Sequence, residues 1–474
     1  MINELISQKI LQKLGHHPTK SQLNLIGKIA EFITGNTNDT VLLIKGYAGT
    51  GKTSTISALV KTMDEFKIRS VLLAPTGRAA KILSQYSGKP AWTIHKKIFR
   101  QKSSRDGFGS FVLDKNLHTN TVFIVDEASM ISNVSGEYNI FGSGRLMDDL
   151  LDYVNNGKGC KLIVAGDTAQ LPPVGSSNSP ALEAGCYRGF FVRVVECELT
   201  EVVRQEQQSG ILVNATAVRE LIRNGISGYP GLTTTGYDDF CSISGNELIE
   251  LLANAYETDG LDQTIVINRS NKRSNMYNAG IRSRILFREE EIIPGDLLMV
   301  VKNNYFWLKD SGDVDFIANG DTVEILKIRK YKELYGFRYA DVNLRLIDYN
   351  IELDARIMLD TLSVESASLT GEQNKTLFYN IYEDYQMLKP KRKGYDMVRE
   401  NPYFNALQVK FAYAVTCHKA QGGQWKNVFI DQGYINESMI DTEYLRWIYT
   451  AITRSTKRLY LVNFSENFFK QKVT

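Results

Sequence analysis

A phosphate-binding loop is the feature that most constrains what this chain can fold into. The stretch GYAGTGKT (46–53) directly follows the apolar run VLLI (41–44) and fits the pattern G-x-x-x-x-G-K-T. Glycines let the backbone turn tightly so that its N–H groups face an anion, and the next segment (54–66) predicts a helix whose positive end supports the same charge. The sequence therefore predicts a nucleotide site. A glycine-rich turn without a ligand is the alternative, and the flanking strand and helix disfavour it.

Two side chains in this loop carry specific chemistry. Lys52 is expected to neutralise charge on the β- and γ-phosphates, and the hydroxyl of Thr53 is the expected magnesium ligand. Their neighbours complete the predicted ATP contacts. The loop residues predicted to contact ATP are Gly49, Thr50, Gly51, Lys52, Thr53 and Ser54.

A second apolar run supplies a partner for the metal. TVFIVDEAS (121–129) has the pattern of a buried strand and ends in Asp126 and Glu127. Function collects at the carboxyl ends of buried parallel strands, so we expect Asp126 to hold Mg²⁺ through water and Glu127 to act as general base on the attacking water. A third run (161–175) places the Gln170 amide where it can reach the γ-phosphate. A solvated turn is the alternative for the acidic pair taken alone.

The spacing of the apolar runs predicts the fold class. VLLIKG, SVLLAPT, VFIVDEA and KLIVAGD are separated by helical or irregular stretches, which outlines a parallel α/β sheet of the RecA kind. At 474 residues the chain is too long for one ordinary core and predicts several domains.

Composition narrows the class of protein. The chain has 43% hydrophobic and 23% charged residues and a net charge of +3, as expected for a soluble globular protein without a global bias toward nucleic acid. Its five cysteines form no C-x-x-C pair, which argues against a zinc site and favours a reducing compartment. No apolar run reaches the roughly 20 residues that span a bilayer. We therefore expect a cytoplasmic protein with no membrane partner, and a bacterial, nucleoid-associated one is the simplest hypothesis.

Further motifs occur in one order along the chain. They are APTGRAAKIL (74–83), TIHKKI (93–98), LTEVVRQ (199–205), VTCHKAQGGQW (415–425) and YTAITRSTKRLYLV (449–462). Together with the phosphate loop and the acidic pair, their order and wording resemble superfamily 1B helicases of the PIF/RecD/Dda type, and most of all bacterial PIF-family helicases. The resemblance covers most of the chain apart from about 296–405. It implies a motor with two RecA-like domains that moves 5′→3′ on single-stranded DNA.

The resemblance also implies nucleotide contacts outside the loop. Gln22 corresponds to the glutamine that recognises adenine in this family. Arg204 and Arg454 correspond to two arginines that reach the γ-phosphate from the second domain, and Gln424 lies where the family closes the nucleotide cleft. Arginines supplied across a cleft make hydrolysis depend on its closure.

The same resemblance implies a set of DNA contacts. Hydroxyls, amides and cations suit phosphates, and a tryptophan ring can stack on bases without reading their sequence. The residues implied to contact DNA are Pro75, Thr76, Arg78, Trp92, Thr93, His95, Asn268, Arg269, Lys272, Thr416, His418, Lys419 and Gln421.

Domain boundaries complete the expected architecture. The predicted units are an N-terminal helical segment (1–38), a first RecA-like ATPase domain (39–188) with a hairpin insertion at about 99–118, a second RecA-like domain split between 189–294 and 406–474, and an SH3-like β insertion (295–405). Phe108 and Phe111 are candidates for the tip of a strand-separating pin in the hairpin. The stretch NVSGEYNIFGSG (133–144) is a departure from the family, which often has a shorter connection here.

The predicted function is that of an ATP- and Mg²⁺-dependent DNA helicase acting as a monomer. Its expected partners are single-stranded DNA and junctions of single- and double-stranded DNA, with G-quadruplex DNA as a further candidate substrate. Three alternatives stay open at this point: a motor subunit of a RecD-like nuclease complex, a P-loop ATPase that does not act on DNA, and an inactive clamp. The intact Lys52, Asp126, Glu127 and Arg454 argue against the clamp, and the guanine motif N-K-x-D of a GTPase is not supplied.

Overall fold

The structure is a computed structural model of the chain. It describes residues 2–35, 40–101, 111–134, 141–190, 192–202, 209–308 and 316–470. Over these ranges, no helix combines the length and the apolar character that crossing a lipid bilayer requires.

The strands lie in three main sheets and one short hairpin. In chain order they are β1 (Thr40–Gly46), β2 (Arg69–Ala74), β3 (Ala91–Thr93), β4 (Phe99–Gln101), β5 (Phe111–Leu113), β6 (Thr121–Val125), β7 (Lys161–Gly166), β8 (Arg193–Leu199), β9 (Phe240–Ile243), β10 (Thr264–Asn268), β11 (Leu297–Val300), β12 (Thr322–Leu334), β13 (Phe337–Leu346), β14 (Ile351–Met358), β15 (Leu407–Phe411), β16 (Ala414–Thr416), β17 (Trp425–Asp431) and β18 (Ser455–Val462).

The α-helices mostly connect or cover these strands. In chain order they are α1 (Ile2–Lys13), α2 (Lys20–Thr34), α3 (Lys52–Glu65), α4 (Gly77–Ser87), α5 (Ile94–Ile98), α6 (Leu146–Asn155), α7 (Gly210–Arg223), α8 (Leu248–Asp259), α9 (Asn271–Arg284), α10 (Gly371–Tyr382), α11 (Lys391–Arg399), α12 (Cys417–Ala420) and α13 (Thr442–Ile452).

The first sheet has the strand order β3-β2-β6-β7-β1-β8, and all its neighbours are parallel. Helices α1 to α3 cover one face, where Ile10, Ile29 and Leu59 share a buried cluster with the sheet. Helices α5 and α6 cover the other face through residues such as Ile98 and Leu150. Burial on both faces explains why its central strands are continuous apolar runs, and it confirms the predicted α/β class.

The predicted end of the first domain is corrected by strand β8. We expected the second domain to begin at residue 189, but β8 pairs in parallel with β1 from Thr40↔Arg193 to Gly46↔Leu199. The strand β1 is apolar and buried, so it needs a neighbour on each side to satisfy its backbone groups. Strand β8 supplies that second neighbour, and the first sheet unit extends to residue 199.

The second sheet has the order β16-β10-β17-β18-β9 and is also parallel throughout. Its core contains Val266, Phe429, Ile430 and Leu461, with α13 packed against it through residues such as Ile448. Two parallel sheets flanked by helices confirm the predicted pair of RecA-like units.

The segment between the two parts of the second unit forms a closed barrel of β11, β12, β13, β14 and β15. Strand β15 pairs with both β11 and β14, although we had assigned residues 406–411 to the second RecA-like domain. Barrel closure satisfies the edges that β11 and β14 would otherwise expose. The barrel confirms a β-rich insertion that ends near residue 411, and its SH3-like character stays a prediction.

The hairpin insertion is described only at its base. Strands β4 and β5 pair from Phe99↔Leu113 to Gln101↔Phe111. The candidate tip residue Phe108 lies outside the described residues, as do 135–140 of the family departure. The ring of Phe111 lies 4.3 Å from that of Tyr305, next to the barrel strand β11, so this residue joins the hairpin base to the insertion.

A buried carboxylate joins the second sheet unit to the barrel. Asp296 is fully buried and accepts hydrogen bonds from Arg282 Nη2 (3.0 Å), Arg288 Nη1 (2.8 Å) and the Tyr413 hydroxyl (2.9 Å). Helix α9 carries Arg282, and Tyr413 lies between β15 and β16. One side chain therefore fixes the point where the chain enters the barrel and the point where it leaves.

We expect Asp296→Asn to lower the free energy of unfolding by about 3 kcal/mol, because it leaves buried arginine charge without its partner. The matched control is Asp354→Asn, which breaks an ion pair with Arg329 whose side chains are 59% and 54% exposed. The control should cost less than about 1 kcal/mol. Urea unfolding followed by circular dichroism compares the two variants, and equal losses would contradict the role given to Asp296.

Candidate nucleotide and nucleic-acid sites

The phosphate loop connects β1 to α3 through two strained positions. Gly49 and Gly51 both have φ of +74°, in the left-handed region that glycine tolerates and other residues rarely adopt. Gly51 is the N-cap of α3 and has no capping side chain, so the first N–H groups of the helix stay directed out of its end. The local geometry matches an anion-binding loop.

Lys52 begins α3 and lies within a group of carboxylates. Its side chain is 9% exposed, and Nζ is 3.7 Å from Asp126 Oδ1. Burial alone lowers the pKa of Lys52, but the nearby carboxylates of Asp126, Glu127 and Asp167 outweigh it and leave the pKa raised. The lysine is therefore charged at neutral pH, as phosphate binding requires.

The acidic pair follows β6 as the sequence predicts. Burial raises the pKa of Asp126, and the charge of Lys52 opposes that shift. Glu127 has a left-handed backbone with φ of +54°, and its N–H donates to Asp126 Oδ1 at 2.9 Å. Glu127 Oε2 and Gln170 Oε1 are buried acceptors without a hydrogen-bond partner in the described part of the chain. Such acceptors fit a site that handles a water molecule next to a phosphate.

The residues at this site also fit a magnesium ion. Thr53 directly follows Lys52, and Asp126 lies against Lys52. The protein would supply only two oxygen ligands, a hydroxyl and a carboxylate. This suits Mg²⁺, because that ion keeps several water ligands and binds phosphate oxygens. In the described ranges, no group of three or more His, Cys, Asp or Glu side chains forms a metal cluster.

Gln22 lies beside the phosphate loop. It is fully buried and completes a capping box at the start of α2, where its Oε1 accepts from Thr19 N at 3.0 Å. Its Nε2 donates to the Thr50 carbonyl at 3.2 Å, so the side chain joins α2 to the loop. Its recognition of adenine stays a prediction.

Arg454 reaches this site from the second sheet unit. It follows the end of α13, is buried, and donates to the carbonyls of Thr450 (3.1 Å) and Gly423 (3.3 Å). Its positive charge acts on Lys52 across the two units and opposes the rise that the carboxylates cause in the pKa of that lysine. Arg204 lies outside the described residues, so its role stays a prediction.

The sequence interpretation missed Asp167. It directly follows β7, as Asp126 follows β6, and it is fully enclosed. Burial raises the pKa of Asp167, while Lys52 and a hydrogen bond from Tyr449 oppose the shift. The sequence signal that could have identified Asp167 is its position directly after a buried parallel strand.

Two predicted DNA contacts in the first unit are helix caps. Thr76 Oγ1 accepts from Ala79 N at the start of α4, and Thr93 Oγ1 accepts from Lys96 N at the start of α5, both at 3.2 Å. Pro75 precedes the first cap, and Trp92 precedes the second. These caps bring the predicted contacts to the carboxyl ends of β2 and β3.

Arg78 joins the two sheet units. Its guanidinium lies 3.9 Å from the Trp425 ring centroid, and Nη2 donates to the Gln424 carbonyl at 3.2 Å. Burial lowers the pKa of Arg78. Gln424 therefore lies beside α4, and it directly follows Gly423, whose carbonyl accepts from Arg454. Its predicted contact with ATP stays a prediction.

His95 is enclosed by aromatic rings. Its ring lies 4.8 Å from that of Phe141, and burial lowers the pKa of His95 to about 4. The imidazole is neutral at physiological pH, so any contact with DNA would use its hydrogen-bonding atoms or its ring face.

Two predicted DNA contacts in the second unit face inward. Asn268 is fully buried, and its Oδ1 accepts from Ser274 Oγ at 2.7 Å. Gln421 is buried, and its Nε2 donates to the Leu171 carbonyl of the first unit at 2.7 Å. Asn268 Oδ1 and Gln421 Nε2 are thus bonded within the protein, whereas Asn268 Nδ2 has no hydrogen-bond partner in the described part of the chain. Direct contact of either side chain with DNA stays a prediction.

Other members of the predicted DNA set are accessible. Arg269 and Lys272 are exposed beside α9, while Thr416, His418 and Lys419 are half-buried at α12. Burial lowers the pKa of His418 and lowers that of Lys419 to about 8. Lys272 forms an ion pair with Glu365 at 3.7 Å, and the guanidinium of Arg269 lies over the ring of Tyr444. Their contacts with DNA stay predictions.

Two family models match the chain in the order in which its sheets occur. A model described as an AAA domain matches residues 21–227, and a model described as a UvrD-like helicase C-terminal domain matches residues 411–462. The first match contains the phosphate loop and the acidic pair, and the second contains α13 and Arg454.

Curated relatives align with most of the chain. The ATP-dependent DNA helicase dda of Enterobacteria phage T4 is 28% identical, over 88% of this chain and 93% of that protein. The ATP-dependent RecD2 DNA helicase of Deinococcus radiodurans is 23% identical over 94% of this chain, which spans about half, 50%, of that protein. The ATP-dependent DNA helicase Pif1 of a Psychrobacter species is 24% identical over 80% of this chain and 60% of that protein.

Fold and site define a P-loop ATPase built on two RecA-like sheets, in which the second sheet unit contacts the phosphate loop of the first. The family models and the relatives narrow this class. Together they support a superfamily 1B ATP-dependent DNA helicase of the PIF/RecD/Dda type.

We expect Lys52→Ala to reduce affinity for ATP by at least about tenfold, because it leaves the phosphates without their buried cation. A fluorescent ATP analogue titrated into the protein measures the change. Lys9→Ala is the control, since Lys9 forms an ion pair with Glu65 away from the loop. Unchanged affinity in Lys52→Ala would contradict the assignment of the loop.

Proposed function

We propose that this protein is a motor that moves 5′→3′ along single-stranded DNA and separates the strands of a duplex at a junction. The observation that carries the proposal is that residues of both sheet units contribute to the nucleotide site. Lys52, Asp126 and Glu127 come from the first sheet unit, and the buried Arg454 comes from the second. Hydrolysis at such a site depends on how the two units meet, which is the requirement for coupling it to movement.

The hydrolytic chemistry uses side chains of the first unit. Lys52 and the N–H groups of the phosphate loop bind the triphosphate. Thr53 and Asp126 would hold Mg²⁺, which would supply positive charge to the phosphates when it is bound. Glu127 takes a proton from the attacking water, and Gln170 orients that water with its amide.

The second unit completes the site. Arg454 stabilises the charge that develops on the γ-phosphate, and Arg204 is proposed to act beside it. Because Arg454 is part of the segment that follows α13, any movement of that helix changes its distance from Lys52. The state of the nucleotide and the relative position of the two sheet units are therefore linked.

The same two units hold the proposed DNA path. Thr76 and Arg78 lie at the end of β2, and the α12 segment of the second unit meets them. Gly422 has φ of +72°, and a Cβ there would lie 3.0 Å from Thr76 Oγ1, so glycine is required for this approach. Exposed cations such as Arg269 and Lys272 suit backbone phosphates, which gives sequence-tolerant binding. Opening and closing the cleft would move these contacts past one another.

We also propose the wider assignments that this function implies. The units are the helical segment 1–38, a first RecA-like domain to residue 199, a second one in two parts, and the barrel between them. The partners are single-stranded DNA and duplex junctions, and the protein acts as a monomer in the bacterial cytoplasm near the nucleoid. G-quadruplex DNA is a further candidate substrate.

The decisive experiment compares two duplexes that carry only a 5′ tail or only a 3′ tail. ATP-driven strand separation should occur on the 5′-tailed duplex alone and should be lost in Glu127→Gln, which removes the proposed general base and retains its shape. Separation of the 3′-tailed duplex would contradict the proposed direction. DNA-stimulated ATP hydrolysis without separation of either duplex would instead indicate a subunit that requires a partner.

A further inference from the structure

One hydroxyl group connects three parts of the molecule. The Tyr449 hydroxyl of α13 donates to Asp167 Oδ2 at 2.6 Å and accepts from the N–H of Ala48 in the phosphate loop at 3.0 Å. Tyr449 is 1% exposed, and Asp167 is equally enclosed. The second sheet unit is thereby bonded both to the nucleotide loop and to the end of β7.

Neighbouring contacts hold the same helix face against the first unit. Thr450 Oγ1 accepts from Leu171 N at 2.8 Å, and Arg446 Nη1 donates to the Ser177 carbonyl at 2.6 Å. Tyr449 and Thr450 follow Arg446 by three and four residues, so all three lie on one side of α13. Helix α13 is therefore docked along the segment that follows β7.

A second helix contacts the loop from the same unit. The guanidinium of Arg219 in α7 lies 4.7 Å from the ring centroid of Tyr47, which precedes Ala48. Arg219 also contributes positive charge next to the Tyr449 hydroxyl. The first half of the phosphate loop is therefore enclosed by the second sheet unit, while its second half leads into α3.

The hydrogen bonds of the Asp167 carboxylate favour one position of α13 against the first unit. Its Oδ1 accepts from Ala169 N at 2.9 Å, and its Oδ2 accepts from Tyr449, so both oxygens have fixed partners. The negative charge of Asp167 acts on Lys52. A buried carboxylate and a buried hydroxyl are costly to enclose unless they are hydrogen-bonded, so their pairing strongly favours one position of α13.

We propose that Tyr449 is a positioning residue that transmits the position of α13, and with it Arg454, to Ala48 and Asp167 at the phosphate loop. It acts through these groups and is not itself a catalytic residue. The inference rests on the proposed function in taking hydrolysis as the readout. When α13 is docked, Tyr449 fixes the loop and Asp167 in the arrangement that favours hydrolysis. When α13 moves away, both bonds are lost together.

The test compares Tyr449→Phe with Tyr444→Phe in the full chain. Both tyrosines lie in α13, both are buried, and each loses only a hydroxyl. The Tyr444 hydroxyl donates to Gln432 within the second unit, so its loss leaves the contact between the units intact. Steady-state ATP hydrolysis is measured for each variant with and without saturating oligo-dT, together with the thermal unfolding midpoint.

We expect Tyr449→Phe to lower kcat about tenfold or more, while KM changes by less than about threefold. A tenfold loss of kcat corresponds to a rise of roughly 1.4 kcal/mol in the activation barrier. Tyr444→Phe should keep kcat within about twofold. Equal kcat values for the two variants would overturn the proposal, and so would a loss in Tyr449→Phe that appears in KM alone.

A second variant separates coupling from general damage. Asp167→Asn keeps the shape of the side chain and removes its charge. Combined with Tyr449→Phe, it should lower kcat by clearly less than the product of the two single effects, because both changes weaken the Tyr449–Asp167 hydrogen bond. Fully additive losses would overturn the proposal. If oligo-dT fails to stimulate the unaltered protein, the proposed function fails, and the inference is then judged on kcat measured without DNA.

Discussion

The charge balance around Lys52 is the constraint on which the rest of the structure depends. One buried ammonium group faces the carboxylates of Asp126, Glu127 and Asp167, and its enclosure is tolerated because they surround it. Each of these residues lies at the end or the beginning of an element of the first parallel sheet. The order of the strands in the sheet therefore creates this charged centre, because it brings the carboxyl ends of β1, β6 and β7 together.

The second sheet unit completes this centre and does not merely cover it. Arg454 adds a cation near Lys52, and Tyr449 bonds to the phosphate loop and to Asp167. Arg78 and Gln421 add contacts between the units on the side of the proposed DNA path. The contacts around the phosphate loop and those beside the proposed DNA path thus belong to one interface between the two sheet units.

The sequence predicted most of the local chemistry and less of the long-range pairing. GYAGTGKT and VDEAS specify their own geometry through glycines and an apolar strand, and the structure has the loop between β1 and α3 and the acidic pair directly after β6. The roles of these residues stay predictions. The predicted domain boundaries at residues 189 and 406 were wrong, because β8 pairs with β1 and β15 pairs with β11, and both partners are distant in sequence. Asn268 and Gln421 have the polarity of DNA contacts, and only the folded structure shows that Asn268 Oδ1 and Gln421 Nε2 bond within the protein. The role of Tyr449 likewise depends on contacts about 280 to 400 residues away.

The most direct test of a hydrolytic site shared between two units is single-turnover ATP hydrolysis by Arg454→Ala, with ATP affinity measured in parallel. Arg458→Ala, which removes an exposed arginine of β18, is the control. The account predicts that Arg454→Ala binds ATP with nearly unchanged affinity and hydrolyses it about 10³-fold more slowly, as expected for the loss of an arginine that stabilises the transition state. Hydrolysis at the rate of the control variant would contradict it, because the first sheet unit would then contain the complete site.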